Sequence, residues 1–563
     1  MSGNYHFNAN RTVLAWALAV AVGSGVLLSP AAHASGSWVS TATQATPLPS
    51  NSGAVATDPS QQLHIVVGLQ PRNKAQLDAL VLAVSTPGDP QFGATITPDQ
   101  FLADYAPSAA DTQAVVSYLT SQGFSNIEVS GNNLTVSAYG SAANVEGAFN
   151  TSLVSFLSNG RNVFINTAPA QVPSTLGGIV SAVVGLQDLI EMTVPLQLAS
   201  TPQDPLTTPP YSGPQYQIAY DAGATPTGGK TAIGIVTEGD ITQVPKDLRS
   251  YEQEFNLPQV PYEVVPVGMQ TSDTAGLDEW DLDSQSSSGI AQALKEIVFY
   301  NAGSLADADL TQAFQKIVSD NQVKAVNMSF GGCETLEYLS GAMLLDDIAF
   351  EQGAAQGITF FASSGDGGAS CQLIANAGEP VVLSAVEYPA SSTYVVGVGG
   401  TSLLTNADYS YNNEIAWVSG GGGSSQWELP GAWTSGVIPA ANTLGGMRAV
   451  PDIAMVGDPN IGGADVVVNG SDIGVGGTSL SSPLALGSWA RMESAHGNGL
   501  GFAAPILYKT FGQPFGTAAM NFHDIIVGDN YLYPATPGWD FTTGLGTFDI
   551  AAVNAALPVP SHH

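Results

Sequence analysis

The 563-residue chain is long enough for more than one folding unit, and its 13 Lys and Arg against 47 Asp and Glu give a formal net charge of −34 at pH 7. That balance excludes nucleic acid as a natural partner, because phosphate recognition rests on Lys and Arg. Charged residues make up only 11% of the chain, so few ion pairs exist to be lost when carboxylates protonate, which suits an acidic working medium.

The first residues read as an export signal: Arg11, an apolar run over residues 13–28, and Ala32-His33-Ala34 as a small-residue cleavage site, so residues 1–34 are expected to be removed. The run is short for a membrane span and no other long charge-free apolar helix follows, so the expectation is a secreted, extracellular protein with no membrane attachment. Cys333 and Cys371 are the only cysteines. In an oxidising compartment one disulfide between them can persist; two buried free thiols are the alternative, and two thiols alone make no zinc site.

Residues 35–60, rich in Ser, Thr, Ala and Pro, read as a mobile leader. From His64 an α+β pattern begins: a strand at HIVVGL, a helix over residues 73–84, and two helices in DQFLADYAPSAADTQAVVSYLTSQG, parted at Pro107. A hairpin follows in IEVSGNNLTVSAYG, then a helix over residues 141–149, then a second hairpin turning at Asn159-Gly160. The proline-rich, aperiodic stretch between Pro195 and Pro214 is a linker to a second, larger unit.

The larger unit alternates apolar runs with helices: TAIGIVTEG, a helix after Asp278, KAVNMSFGG, a helix over residues 342–356, GITFFASSGD and TYVVGVGGT. Near-continuous apolar strands between helices predict an α/β domain with a parallel sheet buried on both faces. Such sheets place ligands beyond the carboxyl ends of their strands.

Several candidate residues fall there. Glu279 and Asp283 are four apart, hence on one face of a helix, and paired carboxylates are what acid–base work needs; a solvated acidic face is the plainer reading of the same spacing. Asp366 ends a buried strand before Gly367-Gly368, as a site residue or a turn residue would. Ser479 follows Gly476-Gly477-Thr478 and opens a helix with Pro483 in its first turn, where a nucleophile or an N-cap would stand. The histidines are His6, His33, His64, His496, His523, His562 and His563, and none lies in an H-G-[ST] stretch, so a Ser-His-Asp triad has no evident base.

EWDLD, SSGD and GGTSLSSP, in that order, resemble the sedolisin family of serine-carboxyl peptidases, kumamolisin- and pseudomonalisin-like. The resemblance implies a subtilisin-like parallel sheet flanked by helices, preceded by an α+β ferredoxin-like activation prodomain. It implies Ser479 as nucleophile, Glu279 as general base, Asp283 as its assistant, and a protonated Asp366 as donor to the oxyanion. A carboxylate with a reference pKa of about 4.3 remains a usable base in acid, whereas a carboxyl donates only while neutral, so Asp366 must be pushed up.

The C-terminal FHDIIVGDNYLYPATPGWDFTTGLG resembles the family's calcium site, which implies one Ca2+ held by the carboxylates of Asp524 and Asp540 and the carbonyls of Ile525, Thr536 and Gly538. Read alone, the same stretch is a Gly-rich loop. The chain departs from the family in carrying Ser329-Phe330-Gly331-Gly332 where Trp is common, Thr237 where a Glu extends the carboxylate network, and Thr536 where Gly is common.

The implied organisation is a signal peptide (1–34), an activation domain (35–195), a linker with the processing site (196–212), a catalytic domain (213–557) and a tail (558–563). The implied function is an acid-acting endopeptidase made as a self-processing precursor, a monomer whose partners are protein or peptide substrates and its own prodomain, as inhibitor and folding aid. A tripeptidyl-peptidase of the same family and a non-catalytic exported binding protein on the same scaffold are the alternatives.

Overall fold

The computed structural model describes residues 37–200, 208–376, 379–383 and 385–559; the expected signal peptide and the last tail residues lie outside them. The amino-terminal domain is built on a four-stranded antiparallel sheet in the spatial order Ser125–Val129, Thr135–Ser141, Gln62–Leu69, Val180–Val184. Its helices start where the sequence supplies caps. Thr97, Ser108 and Ser141 each accept from the backbone three residues on, and the side chain there reaches back, giving capping boxes for Pro98–Asp104, Ala109–Ser121 and Ala142–Phe149. The second hairpin pairs Ser158 with Arg161, leaving Asn159 (φ 48) and Gly160 (φ 82) as a two-residue turn that needs left-handed backbone twice.

Residues 38–60 correct one expectation. Trp38–Ser40 pairs antiparallel with Gln171–Pro173, and Val55–Ala56 pairs with the Leu153–Ser158 strand. Thr43 Oγ1 donates to Val183 O and accepts from Val183 N, so this stretch is tied to the domain rather than loose. Short polar side chains, read from composition as mobile, here serve as strand-edge partners.

The large domain carries an eight-stranded sheet. Along it run Tyr262–Pro266, Leu294–Ala302, Gly228–Glu238, Ala325–Met328, Thr359–Ser363 and Val395–Thr405, all parallel, then the antiparallel Tyr411–Ala416; Ile453–Val456 joins parallel to Val395–Thr405. The strands at 262–266 and 294–302 were not anticipated from the sequence. The helices Leu277–Ala291 and Thr478–Ala495 pack against each other and the sheet, and Gly487 is what lets them approach, since a Cβ there would lie 2.3 Å from Ser287 O. Cys333 and Cys371 form a disulfide, as the export reading allowed.

The two domains share a core in which Val66, Ala182 and Val184 meet Ala308, Ala342 and Leu345. Polar contacts frame it: His64 Nδ1 to Asp309 at 2.8 Å, Lys74 to Glu351 at 3.1 Å, and Asn132 Nδ2 to Gln315 and Gln352 at 2.7 and 2.8 Å. Among the described residues no helix is long and apolar enough to cross a membrane.

Candidate active site

Glu279 and Asp283 sit one turn apart on the Leu277–Ala291 helix, 1% and 0% exposed, so the plainer reading of a solvated acidic face does not hold. Ser479 is the second residue of the Thr478–Ala495 helix and is fully buried. It follows Gly477, whose φ of 115 is backbone that side-chain-bearing residues rarely adopt. Asp366 lies just beyond the carboxyl end of the Thr359–Ser363 strand and keeps an accessible edge.

A hydroxyl the sequence reading did not single out joins these parts. Ser329, at the end of the Ala325–Met328 strand, donates to Asp283 Oδ1 at 2.6 Å and lies 3.3 Å from Ser479 O. Asn327 Nδ2 donates to Ser329 Oγ at 2.8 Å, and Ser482 Oγ donates to Asn327 Oδ1 at 2.6 Å. The signal available in the sequence was the run N-M-S-F-G-G at a strand end, beside the departures noted above.

Burial dominates the electrostatics. It holds Glu279 well above the usual carboxylate range, with further upward pushes from Asp283 and Asp366 and partial relief from the Ser479 and Ser329 hydroxyls. Neither Glu279 oxygen, nor Ser479 Oγ, completes a hydrogen bond of standard geometry here, so the two face each other without being joined. Asp283 is pushed up to about 8 by burial, against the Ser329 and Asn327 donors. Asp366 is likewise pushed up to about 8 by burial, although Thr478 N (2.8 Å) and Oγ1 (3.0 Å) bind its Oδ1. Three carboxyls that resist ionisation together lose their protons stepwise as a set, so one can be charged while another stays neutral.

The linker runs through this site. Thr193 N donates to Gly331 O at 2.9 Å and Gly331 N to Thr193 O at 3.0 Å; on the far side Gln197–Leu198 pairs antiparallel with the Ser471–Gly476 strand, Gln197 opposite Gly476. The intervening Pro195 lays its carbonyl against Gly477, where a Cβ would meet Pro195 O at 2.3 Å and Asp366 Oδ2 at 2.9 Å. The linker is therefore partly a β-strand rather than aperiodic throughout; residues 201–207 lie outside the described residues.

Histidine takes no part among the described residues. His64 pairs with Asp309, His496 Nε2 lies 3.3 Å from Asn554 O, and His523 stacks on Tyr411. A buried serine at a helix start, two carboxyls on one helical face and a third beyond a strand end make an arrangement able to attack a carbonyl, accept the serine's proton and donate to an oxyanion.

Comparison with known proteins gives the family of the chain. Sedolisin of Pseudomonas sp. (strain 101) is 38% identical over an alignment that covers 97% of this chain and 96% of that protein. The chain belongs to the sedolisin family. Xanthomonalisin of Xanthomonas sp. (strain T-22) is 35% identical over 97% of this chain and 74% of its own length. The sequence model "Pro-kumamolisin, activation domain" matches residues 52–189, and "Subtilase family" matches 268–505. The solved structure of Pseudomonas sedolisin, a serine-carboxyl proteinase complexed with two molecules of pseudo-iodotyrostatin, superposes with a TM-score of 0.57 at 35% identity, covering 62% of this chain and 98% of that one. The protein is thus a sedolisin-type serine peptidase with a subtilisin-like α/β fold and an activation domain.

As a sedolisin-family chain it departs from the extended carboxylate network at Thr237, which donates to Asn301 Oδ1 at 2.8 Å. The neighbouring Glu238 is pushed up to about 7 by burial and by Asp273 and Glu191. In the C-terminal loop, Asp524 and Asp540 approach closely enough for Asp540 to raise Asp524, after burial. Gly538 N donates to both Asp524 oxygens at 3.1 Å, and Thr536 N donates to Asp540 Oδ2 at 2.8 Å. Among the described residues no donor reaches the carbonyls of Ile525, Thr536 or Gly538. Carboxylates and backbone carbonyls are hard oxygen donors of the kind calcium takes, so the residue types present are compatible with it.

Proposed function

We propose that this chain is a secreted endopeptidase, active in acid and made as a self-processing precursor. The observation that carries the reading is the segment around Pro195, laid against the Gly477 turn that leads to Ser479 and bound by antiparallel backbone pairing on both sides as an extended peptide substrate would be. In the proposed reaction Ser479 Oγ attacks the peptide carbonyl and its proton passes to Glu279. Asp283, held by Ser329, orients Glu279 and shares the set's negative charge. The oxyanion takes hydrogen bonds from neutral Asp366 and a backbone N–H at the Thr478–Ala495 helix start. The tetrahedral adduct collapses, the departing amine takes its proton from Glu279, and water releases the acyl group by the same steps reversed.

Acid suits this machinery because Asp366 must be neutral while the first proton lost by the set leaves one basic carboxylate beside Ser479. Residues 35–195 serve as inhibitor and folding aid, 196–212 as linker and 213–557 as the catalytic unit of a monomer. Asp524 and Asp540, with the Ile525, Thr536 and Gly538 carbonyls, would hold Ca2+, which would neutralise charge in the loop and take no part in catalysis. A chain that continues past Ser479 in both directions supports internal cleavage over removal of tripeptides from an end.

The test is the pair Ser479→Ala and Glu279→Gln, purified and cut from the prodomain in trans. Each is expected to lower kcat on a denatured protein at acid pH by roughly 10³ or more. Near-wild-type turnover in either would reject the assignment.

A further inference from the structure

Glu387 is a carboxyl beside the reaction centre that the chemistry above does not use. Its strand, Glu387–Tyr388, pairs antiparallel with Gly332–Cys333, immediately after the Gly331 that binds Thr193 at the end of the activation domain. Two glycines make room for the carboxyl. A Cβ on Gly331 would lie 2.8 Å from Glu387 Oε2, and one on Gly365, the residue before Asp366, would lie 2.5 Å from Glu387 Cδ and 2.6 and 2.7 Å from its oxygens. The carboxyl therefore fills the space between the backbone that holds the substrate's amino side and the turn that carries Asp366. Pro195 rests its carbonyl on Gly477, where Asp366 Oδ2 also comes close, and Asp366 follows the Gly365 that the Glu387 carboxyl abuts.

The geometry points to Glu387 as the residue that selects the side chain on the amino side of the scissile bond, favouring a cationic one, lysine or arginine; this rests on Ser479 being the nucleophile. The backbone of Glu387 is bonded, its carbonyl accepting from Ser391 N, but among the described residues its carboxyl meets no hydrogen-bond or ion-pair partner, although the residue is only partly exposed. Burial alone pushes it up to about 7, and Asp366 is the titratable neighbour that feels its charge. An ionised carboxyl without a donor is unfavourable in a desolvated place; a cationic side chain entering beside it supplies donors and, by its charge, draws the carboxyl's pKa back down so that the pair forms with Glu387 ionised. Pro195, whose carbonyl lies at Gly477, can supply neither donor nor charge.

The test compares two peptides identical except for Lys or Leu before the cleaved bond, using acid-processed wild-type enzyme and Glu387→Gln. The Lys:Leu ratio of kcat/KM is expected to fall roughly tenfold or more in the variant, a ratio in which any general change in catalytic rate cancels. The same ratio is read from calorimetric Kd values of the two peptides as uncleavable reduced-bond analogues, a measurement that needs no turnover. If wild-type cleaves neither peptide, the peptidase reading fails while the Kd ratio still decides the role of Glu387. Ratios equal in wild-type and variant overturn the selector.

Discussion

Gln197 Nε2 donates to Asp366 Oδ2 at 3.0 Å, so a residue of the linker occupies the carboxyl proposed to bind the oxyanion. Together with Pro195 against Gly477, this places the precursor's own backbone where a substrate's would lie. On the proposed self-processing, the inhibitor segment and the first substrate would be the same strand.

Asp366→Asn tests the donor role. An amide keeps an N–H to offer but not the geometry or acidity of a neutral carboxyl, so kcat is expected to fall by about 10² to 10³ with the fold intact, judged by circular dichroism. An unaltered rate and pH profile would assign the oxyanion elsewhere.

Maturation is expected in acid, with the break at Pro195–Leu196. The pairings of Thr193 with Gly331 and Gln197 with Gly476 frame that bond, which moves the expected break to just ahead of the 196–212 linker. Intact-mass measurement should find a product beginning at Leu196, and the Ser479→Ala precursor should stay whole in acid unless active enzyme is added. Self-cleavage of the serine variant, or a first cut within residues 62–184, would contradict this.

Stability should fall as pH rises from about 4 to 9, the reverse of ordinary acid denaturation. Asp281 is fully buried, neither carboxyl oxygen has a partner, and burial, Asp247 and Asp278 push it up to about 9. Its folded pKa lies above the unfolded value, so its contribution is fully present below about pH 4 and is lost as pH rises towards 9. Each proton that the folded state alone retains contributes a slope of about 1.4 kcal/mol per pH unit. Asp281→Asn is expected to flatten the dependence of urea-unfolding free energy on pH and to stabilise the chain near neutrality. An unchanged slope would show that Asp281 does not titrate as described.

Calcium removal should lower the thermal midpoint, because a ligand that binds only the folded loop stabilises it by mass action. Chelator should reduce Tm in the wild-type chain and leave Asp540→Asn, already depleted, unmoved. Elemental analysis without calcium, with no shift on chelation, would remove the site.

The sequence by itself determined what depends on neighbours along the chain. Glu279 and Asp283 were legible because four residues make one helical turn, the serine turn because its glycines, hydroxyls and proline are contiguous, and the prodomain helices because their caps lie three residues from their partners. The alternation of apolar strands with helices likewise announced the parallel sheet. What only the tertiary structure decided are contacts between residues far apart: Ser329 on Asp283, 46 residues away, Gln197 on Asp366, 169 residues away, and Glu387 between two glycines of separate turns. The same limit misread residues 38–60 and the linker. Their small polar and proline-rich composition carries no internal periodicity, and their order comes from strand edges supplied by distant parts of the fold.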